Sequence, residues 1–177
     1  MSGLRVAAPG ANGAGTLGAG TLGAGTPGAG TLGIADVSLL ECTGPVEDAH
    51  VLVIGEALEV ICALIRRGCV AAAEMALQDR VKVDRVDIVV VPRLGDAARA
   101  AQAVALARGA LAPFGRIVMR DASEPLARVA AALLRTQGFS AIRVRVVGGW
   151  TLVTAERPWF GPILVQRASA DGPRIVE

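Results

Sequence analysis

Short apolar runs alternate with segments of helical periodicity through most of the chain. The runs VLVI (51–54) and VDIVVVP (86–92) are continuous and mostly β-branched, which is typical of strands buried on both faces. Between them, EVICALIRR (59–67) places its apolar residues on one helical face and ends at Gly68. Glycine favours the left-handed conformation that follows a helix. The pattern predicts strands that alternate with helices.

The same alternation continues as far as Pro158. Ser123 opens a helix in which it is the capping hydroxyl, followed by an acid and a proline in the first turn. Two alternating apolar runs, FSAIRVRVV and WTLVTAERP, flank a Gly-Gly pair and predict a hairpin. The other predicted elements are a lead-in that is either helix or strand (37–40), a strand ending at Glu74, an Ala-rich helix (95–111), a turn at Pro113-Phe114-Gly115 and a strand (116–120).

This order predicts an α/β fold with a doubly wound, mostly parallel Rossmann-like sheet in a three-layer α/β/α arrangement. The closing hairpin adds one antiparallel strand to that sheet. Hydrophobic residues make up 53% of the chain but aromatic residues only 3%, so Val, Ala, Leu and Ile must fill the core.

The length of 177 residues suits one folded domain. Residues 13–32 repeat the pentapeptide GAGTL, once as GAGTP, and such Gly-rich units bury too little apolar surface to offset the entropy of ordering. We therefore predict a disordered segment over 1–33, a folded domain over 34–165 and a flexible tail over 166–177.

Charge and cysteine content exclude several classes of partner. The 18 basic and 16 acidic residues give a net charge of +2, too balanced for a polybasic nucleic-acid groove. No apolar stretch approaches the roughly 18 residues of a membrane span, and the N-terminus lacks the apolar core of a signal peptide. Three cysteines without CxxC spacing fit a reducing compartment, so we predict a cytoplasmic protein.

Two segments carry a family resemblance. ALAPFGRIVMRD (110–121) resembles the fifth-strand segment of class I S-adenosylmethionine-dependent methyltransferases, and GFSAIRVRVVGGWTLVTAERP (138–158) resembles their closing hairpin. The resemblance runs from about Val51 to Pro158. It implies the fold, S-adenosyl-L-methionine as a small-molecule cofactor and methyl transfer, but it does not identify the acceptor.

The resemblance also places the cofactor turn directly after the first apolar strand. The family has three glycines at alternate positions there, and this chain has Gly55, Ala57 and Glu59, with Val53 at the family's acidic position. Glycine lets the backbone approach a ligand. The implied cofactor-binding residues are Gly55, Glu56 and Ala57. Glu59 either stabilises its own helix dipole, by about 0.3–1 kcal/mol, or repels the cofactor's carboxylate.

Glu74 is the next candidate, because it ends the second strand 19 residues after Gly55. This is near the spacing at which an acid reaches ribose hydroxyls, and a carboxylate accepts two hydrogen bonds from a vicinal diol. Pro92 at the end of the next strand is a further cofactor-binding candidate. Arg93 beside it is predicted to face the substrate and hold an anionic group. Glu74 and Arg93 are alternatively solvated strand ends.

Only 11 residues, 75–85, separate Glu74 from the following strand. The resembling family usually has a helix, a further strand and an adenine-contacting acidic loop in this segment. The resemblance therefore makes Val81–Val83 a candidate remnant of that strand, and Asp79 or Asp84 a candidate remnant of the adenine contact. His50, the one histidine, lacks a catalytic partner at a recognisable spacing. Cys62 is predicted to be a small apolar residue of a buried helix face, and Trp150 and Trp159 to cover the sheet edge or line a pocket.

Two functions remain open. The first is an S-adenosylmethionine-dependent methyltransferase of unknown substrate, with Gly55, Glu74 and Arg93 in its site. The second is a catalytically inactive methyltransferase-fold domain that acts as an interaction or structural module. The residues at 53, 57 and 59 and the short segment 75–85 together favour it. Nicotinamide-dependent redox chemistry is disfavoured, because GEALEV has one of the three glycines of GxGxxG.

Overall fold

The computed structural model describes residues 5–7, 33–78 and 85–159. No helix in these ranges is both long and apolar enough to cross a bilayer. The strands are β1 (Arg5–Ala7), β2 (His50–Ile54), β3 (Ala71–Met75), β4 (Val86–Val91), β5 (Leu111–Asp121), β6 (Ser140–Val147) and β7 (Trp150–Glu156), and the helices are α1 (Ile34–Cys42), α2 (Leu58–Arg66), α3 (Ala97–Ala110) and α4 (Glu124–Thr136).

The described strands form a single sheet in the order β1-β3-β2-β4-β5-β7-β6. Strands β3, β2, β4 and β5 are parallel to one another, whereas β7 runs antiparallel to both β5 and β6. The predicted α/β class is therefore confirmed: the sheet is doubly wound and mostly parallel, and a closing hairpin contributes the antiparallel strand.

Two apolar cores lie on opposite faces of the sheet. Leu52 and Ile54 of β2 belong to the core that α3 and α4 cover. Val51 and Val53 of the same strand belong to the core that α1 and α2 cover. Because neighbouring residues of a strand point to opposite faces, a continuous apolar run is what a strand between two helical layers requires. The molecule has the three-layer arrangement that the pattern predicts.

The edge beyond β3 differs from the prediction. Residues 5–7 belong to the segment expected to lie outside the fold, yet they pair antiparallel with β3, Val6 opposite Ala73. The entropy argument concerned the Gly-rich repeat, whereas a short non-repetitive strand can satisfy the open edge of β3 with backbone hydrogen bonds. The repeat itself (13–32), the predicted edge strand Val81–Val83, Asp79, Asp84 and the predicted tail 166–177 lie outside the described residues.

The helices follow the sequence signals closely. The ambiguous lead-in at 37–40 is part of the helix α1. Gly68 has φ +89°, and its N–H donates to the Ile65 carbonyl, so it ends α2 as predicted. The Ser123 hydroxyl accepts from the Leu126 N–H at 3.5 Å and caps α4.

The segment predicted as a turn before β5 is instead part of that strand, which begins at Leu111. Phe114 has φ +64°, and its N–H donates to the Arg157 carbonyl at 2.8 Å. This bond continues the pairing that joins β5 to the end of β7. A backbone irregularity replaces the predicted turn, because hydrogen bonding to a distant segment holds it in the sheet.

Phe114 yields a prediction about stability. A left-handed conformation costs most residues about 1–2 kcal/mol, but asparagine tolerates it. The ring is 75% exposed, so little packing is lost with it. We expect Phe114→Asn to raise the free energy of unfolding by up to about 1 kcal/mol in urea denaturation. Phe114→Ala is the control, because alanine has the same conformational cost in the left-handed region as phenylalanine. A gain with alanine as large as with asparagine would contradict this explanation.

Candidate functional site

An open cleft of about 1140 Å³ lies at the carboxyl ends of the parallel strands. The chain passes from β2 to β3 on one side and then to β4 on the other side of β2. This reversal is the topological switch point, where open α/β sheets bind their ligands. Among the described residues, all the predicted cofactor- and substrate-binding candidates line this cleft: Gly55, Glu56, Ala57, Glu74, Pro92 and Arg93.

Gly55 makes the turn from β2 to α2. Its φ is +103°, and its N–H donates to the Met75 carbonyl at 3.0 Å. A Cβ atom at this position would meet nothing within 4 Å. The positive φ therefore selects glycine, and the space beside the turn is open to a ligand. Ala57, the residue before α2, provides no side-chain cap for the first-turn N–H groups of that helix.

Glu74 lies beside this turn. It is directly opposite Val53 in the parallel pairing of β2 with β3, and it is partly buried at the wall of the cleft. The sequence spacing between Gly55 and Glu74 thus becomes a short separation in space, because adjacent parallel strands end at the same edge. A carboxylate is available next to the only glycine of the turn.

Glu59 also lines the cleft, and it is exposed in the first turn of α2. This position is compatible with both interpretations of Glu59, stabilisation of the helix dipole and repulsion of a bound carboxylate. The acid interacts favourably with the positive end of the helix dipole, and it also places a negative charge beside the N–H groups that would attract an anion. Glu56, exposed nearby, adds a further carboxylate.

The sequence did not single out the most buried charge of the cleft, Arg120 at the end of β5, which is 9% exposed. Its Nε donates to the Pro92 carbonyl at 2.9 Å and its Nη1 to Asp36 Oδ1 at 2.7 Å. The guanidinium also lies 4.9 Å from the centre of the Trp150 ring. A charged residue at the end of a buried strand was the available signal, but the partner in α1 has no sequence pattern.

Asp121, beside Arg120, organises the loops of the same edge. It is buried, and its carboxylate accepts from the Gly95 N–H at 3.1 Å and from the Ser123 N–H at 2.7 Å. These bonds connect the loop after β4 to the loop after β5. The position of Arg93, which lies in the first of these loops, is supported by this connection.

The other candidates that the structure describes do not line the cleft. His50 does have a partner, Asp87, with Nδ1 and Oδ2 3.5 Å apart, but both side chains are more than half exposed at the amino ends of their strands. Burial raises the pKa of the Cys42 and Cys69 thiols, which disfavours a nucleophilic thiolate. Cys62 is partly buried, Trp150 stacks on Arg120, and Trp159 is 60% exposed.

No family model matches the sequence, and no curated protein matches it. Several solved structures are similar to this chain. The T. Thermophilus 16S rRNA methyltransferase RsmC, solved with AdoMet and guanosine, has 22% identity and a TM-score of 0.55 over 74% of this chain and 45% of its own. A SAM-dependent O-methyltransferase from Thermotoga maritima has 11% identity and a TM-score of 0.56 over 70% and 64%.

A third match is the ribosomal protein L11 methylase from Lactobacillus delbrueckii subsp. bulgaricus, with 12% identity and a TM-score of 0.58 over 71% of this chain and 78% of that one. The chain spans about half to two thirds of the length of the first two proteins. Structural similarity at this level of sequence identity establishes the fold. The chain has the fold of class I S-adenosylmethionine-dependent methyltransferases.

Proposed function

We propose that this chain is an S-adenosylmethionine-dependent methyltransferase whose cleft holds the cofactor across the carboxyl ends of β2, β3 and β4. The observation that carries the proposal is the juxtaposition of the Gly55 turn and Glu74 at the switch point of the sheet. The turn would receive the amino-acid end of the cofactor, and Glu74 the ribose hydroxyls. Pro92 would form the wall from the β4 side.

The residues fit the cofactor in three respects. The space beside Gly55 is open, the first turn of α2 offers backbone N–H groups to a carboxylate, and Glu74 supplies acceptors for a diol. Glu59 opposes the carboxylate by its charge but leaves the ribose side untouched. Bound S-adenosylmethionine would supply a methyl group already activated by the sulfonium, so that alignment with a nucleophile can suffice for transfer.

One observation favours a second candidate, a catalytically inactive domain that acts by interaction or structural support. Glu59 stands at a position where the resembling family has glycine, and its exposed side chain shares the cleft with Glu56. Two carboxylates near the first turn of α2 would weaken the attraction for the carboxylate of the cofactor.

Thermal unfolding with S-adenosylmethionine or S-adenosylhomocysteine tests the proposal. A ligand at one hundred times its dissociation constant adds about 2.7 kcal/mol to the free energy of unfolding. Glu74→Ala should weaken binding by about tenfold to a hundredfold, because hydrogen bonds to a charged group are worth about 1.5–3 kcal/mol. Glu124→Ala is the control, since this exposed acid begins α4 and does not line the cleft.

No stabilisation at millimolar ligand would support the inactive domain. The double substitution Ala57→Gly and Glu59→Gly then identifies the cause. Micromolar affinity in that variant would show that these two side chains alone block the site. Continued absence of binding would show that the rest of the cleft has also lost the complementarity that cofactor binding requires.

A further inference from the structure

The two sides of the cleft carry opposite charges. The acidic residues follow β2 and lie at the end of β3, whereas the basic residues belong to the loop after β4, the first turn of α3 and the end of β5. The acidic side consists of Glu56, Glu59 and Glu74, and the basic side of Arg93, Arg99 and Arg120. Asp36 also lines the basic side, where it pairs with Arg120 and leaves Arg93 and Arg99 as the cations without an ion-pair partner among the described residues.

Arg93 and Arg99 take part in none of the ion pairs between described residues. Arg99 lies in the first turn of α3, where a cation is unfavourable beside the positive end of the helix dipole. Its side chain packs over the loop, with Cδ 3.5 Å from where a Cβ of Gly95 would be. Asp96 caps the helix by accepting from the Arg99 N–H at 2.8 Å. The Asp96 carboxylate offsets the helix dipole, whereas an anion in the cleft would offset the charges of Arg93 and Arg99.

Arg120 adds a guanidinium that is held in place. Its bonds to Pro92 and Asp36 leave other N–H donors, since a guanidinium has five in all. Arg120 also lines the cleft, so its guanidinium contributes to the positive charge of this side.

We propose that this arginine side binds a carboxylate or phosphate group of the methyl acceptor, with Arg93 and Arg99 as the contacting residues. The assignment of that molecule as the acceptor rests on the proposed function. Guanidinium groups match both anions in a bidentate geometry. The cleft of about 1140 Å³ exceeds the roughly 300–1,000 Å³ typical of a pocket for one small ligand. Cofactor and acceptor would lie side by side.

Calorimetric titration of the full chain with inorganic phosphate and with citrate, at low ionic strength, tests the anion site. We expect Arg93→Ala and Arg99→Ala each to weaken anion binding about tenfold or more. Arg135→Ala is the matched control, because this exposed arginine lies in the last turn of α4 and does not line the cleft. Tighter binding of phosphate or of citrate identifies the preferred group, and either preference supports the proposal.

Anion binding that is absent, or that Arg135→Ala weakens as much as the cleft variants do, would overturn the inference. The same titrations with S-adenosylhomocysteine separate it from the proposed function. Cofactor binding without arginine-dependent anion binding refutes only the anion site. Arginine-dependent anion binding without cofactor binding refutes only the cofactor assignment and leaves an anion-binding cleft.

Discussion

Asp36→Ala is expected to lower the free energy of unfolding by about 3 kcal/mol, because it leaves the Arg120 guanidinium without its carboxylate. The Arg120 side chain is 10% exposed and that of Asp36 25%, and their charged atoms are 2.7 Å apart. Breaking one partner of a buried pair typically costs about 3–5 kcal/mol. The lower end of this energy range applies, because the Asp36 side chain is partly exposed to water and Arg120 keeps its hydrogen bond to the Pro92 carbonyl.

A double-mutant cycle with Arg120→Met isolates the pair, because methionine retains much of the apolar stem. We expect a coupling energy of about 2 kcal/mol in urea denaturation. The chain contains its own control in Glu124 and Arg128, an exposed pair 2.6 Å apart on α4. Exposed helical pairs of this spacing contribute about 0.3–0.5 kcal/mol. Equal coupling in the two cycles would show that burial does not strengthen the Asp36–Arg120 pair.

Gly115→Ala is expected to destabilise the protein by about 3 kcal/mol, near the upper end for overpacked sites. An added Cβ would lie 2.9 Å from the Ala112 carbonyl oxygen and 3.1 Å from that of Asp87. Backbone atoms cannot move aside as a flexible side chain can. The close approach occurs where the register between β4 and β5 shifts, so the substitution would separate these two strands.

Gly149→Ala is the matched control for this effect. Gly149 has φ +81°, but a Cβ there would meet nothing within 4 Å. Its cost should be only the conformational penalty of about 1–2 kcal/mol. Urea denaturation of both variants separates crowding from backbone strain. A smaller loss for Gly115→Ala than for Gly149→Ala would contradict the steric explanation.

Much of the fold and part of the site could be predicted from local patterns. Apolar periodicity identified β2, β4 and α2, because burial on one or both faces is recorded in neighbouring residues. The closing hairpin was identified by two alternating runs around a Gly-Gly pair, although the residues of β6 are mostly exposed. The positions of Gly55 and Glu74 at strand ends were sufficient to place them at one edge of a parallel sheet. Whether they bind a cofactor remains a prediction.

The contacts that complete the cleft depend on the tertiary structure. Asp36 and Arg120 are 84 residues apart, and only the packing of α1 beside β5 brings their side chains together. The partner of His50, the pairing of β1 with β3, and the extension of β5 through Phe114 have the same origin.

The sequence by itself determined the kinds and the order of the elements from β2 to β7 and the residues at the carboxyl ends of the parallel strands. The tertiary structure alone decided which strands are neighbours, and hence that carboxylates and guanidinium groups face each other across a single cleft. The physical reason is that periodicity reports which face of an element is buried. It contains no information about the distant segment that buries it.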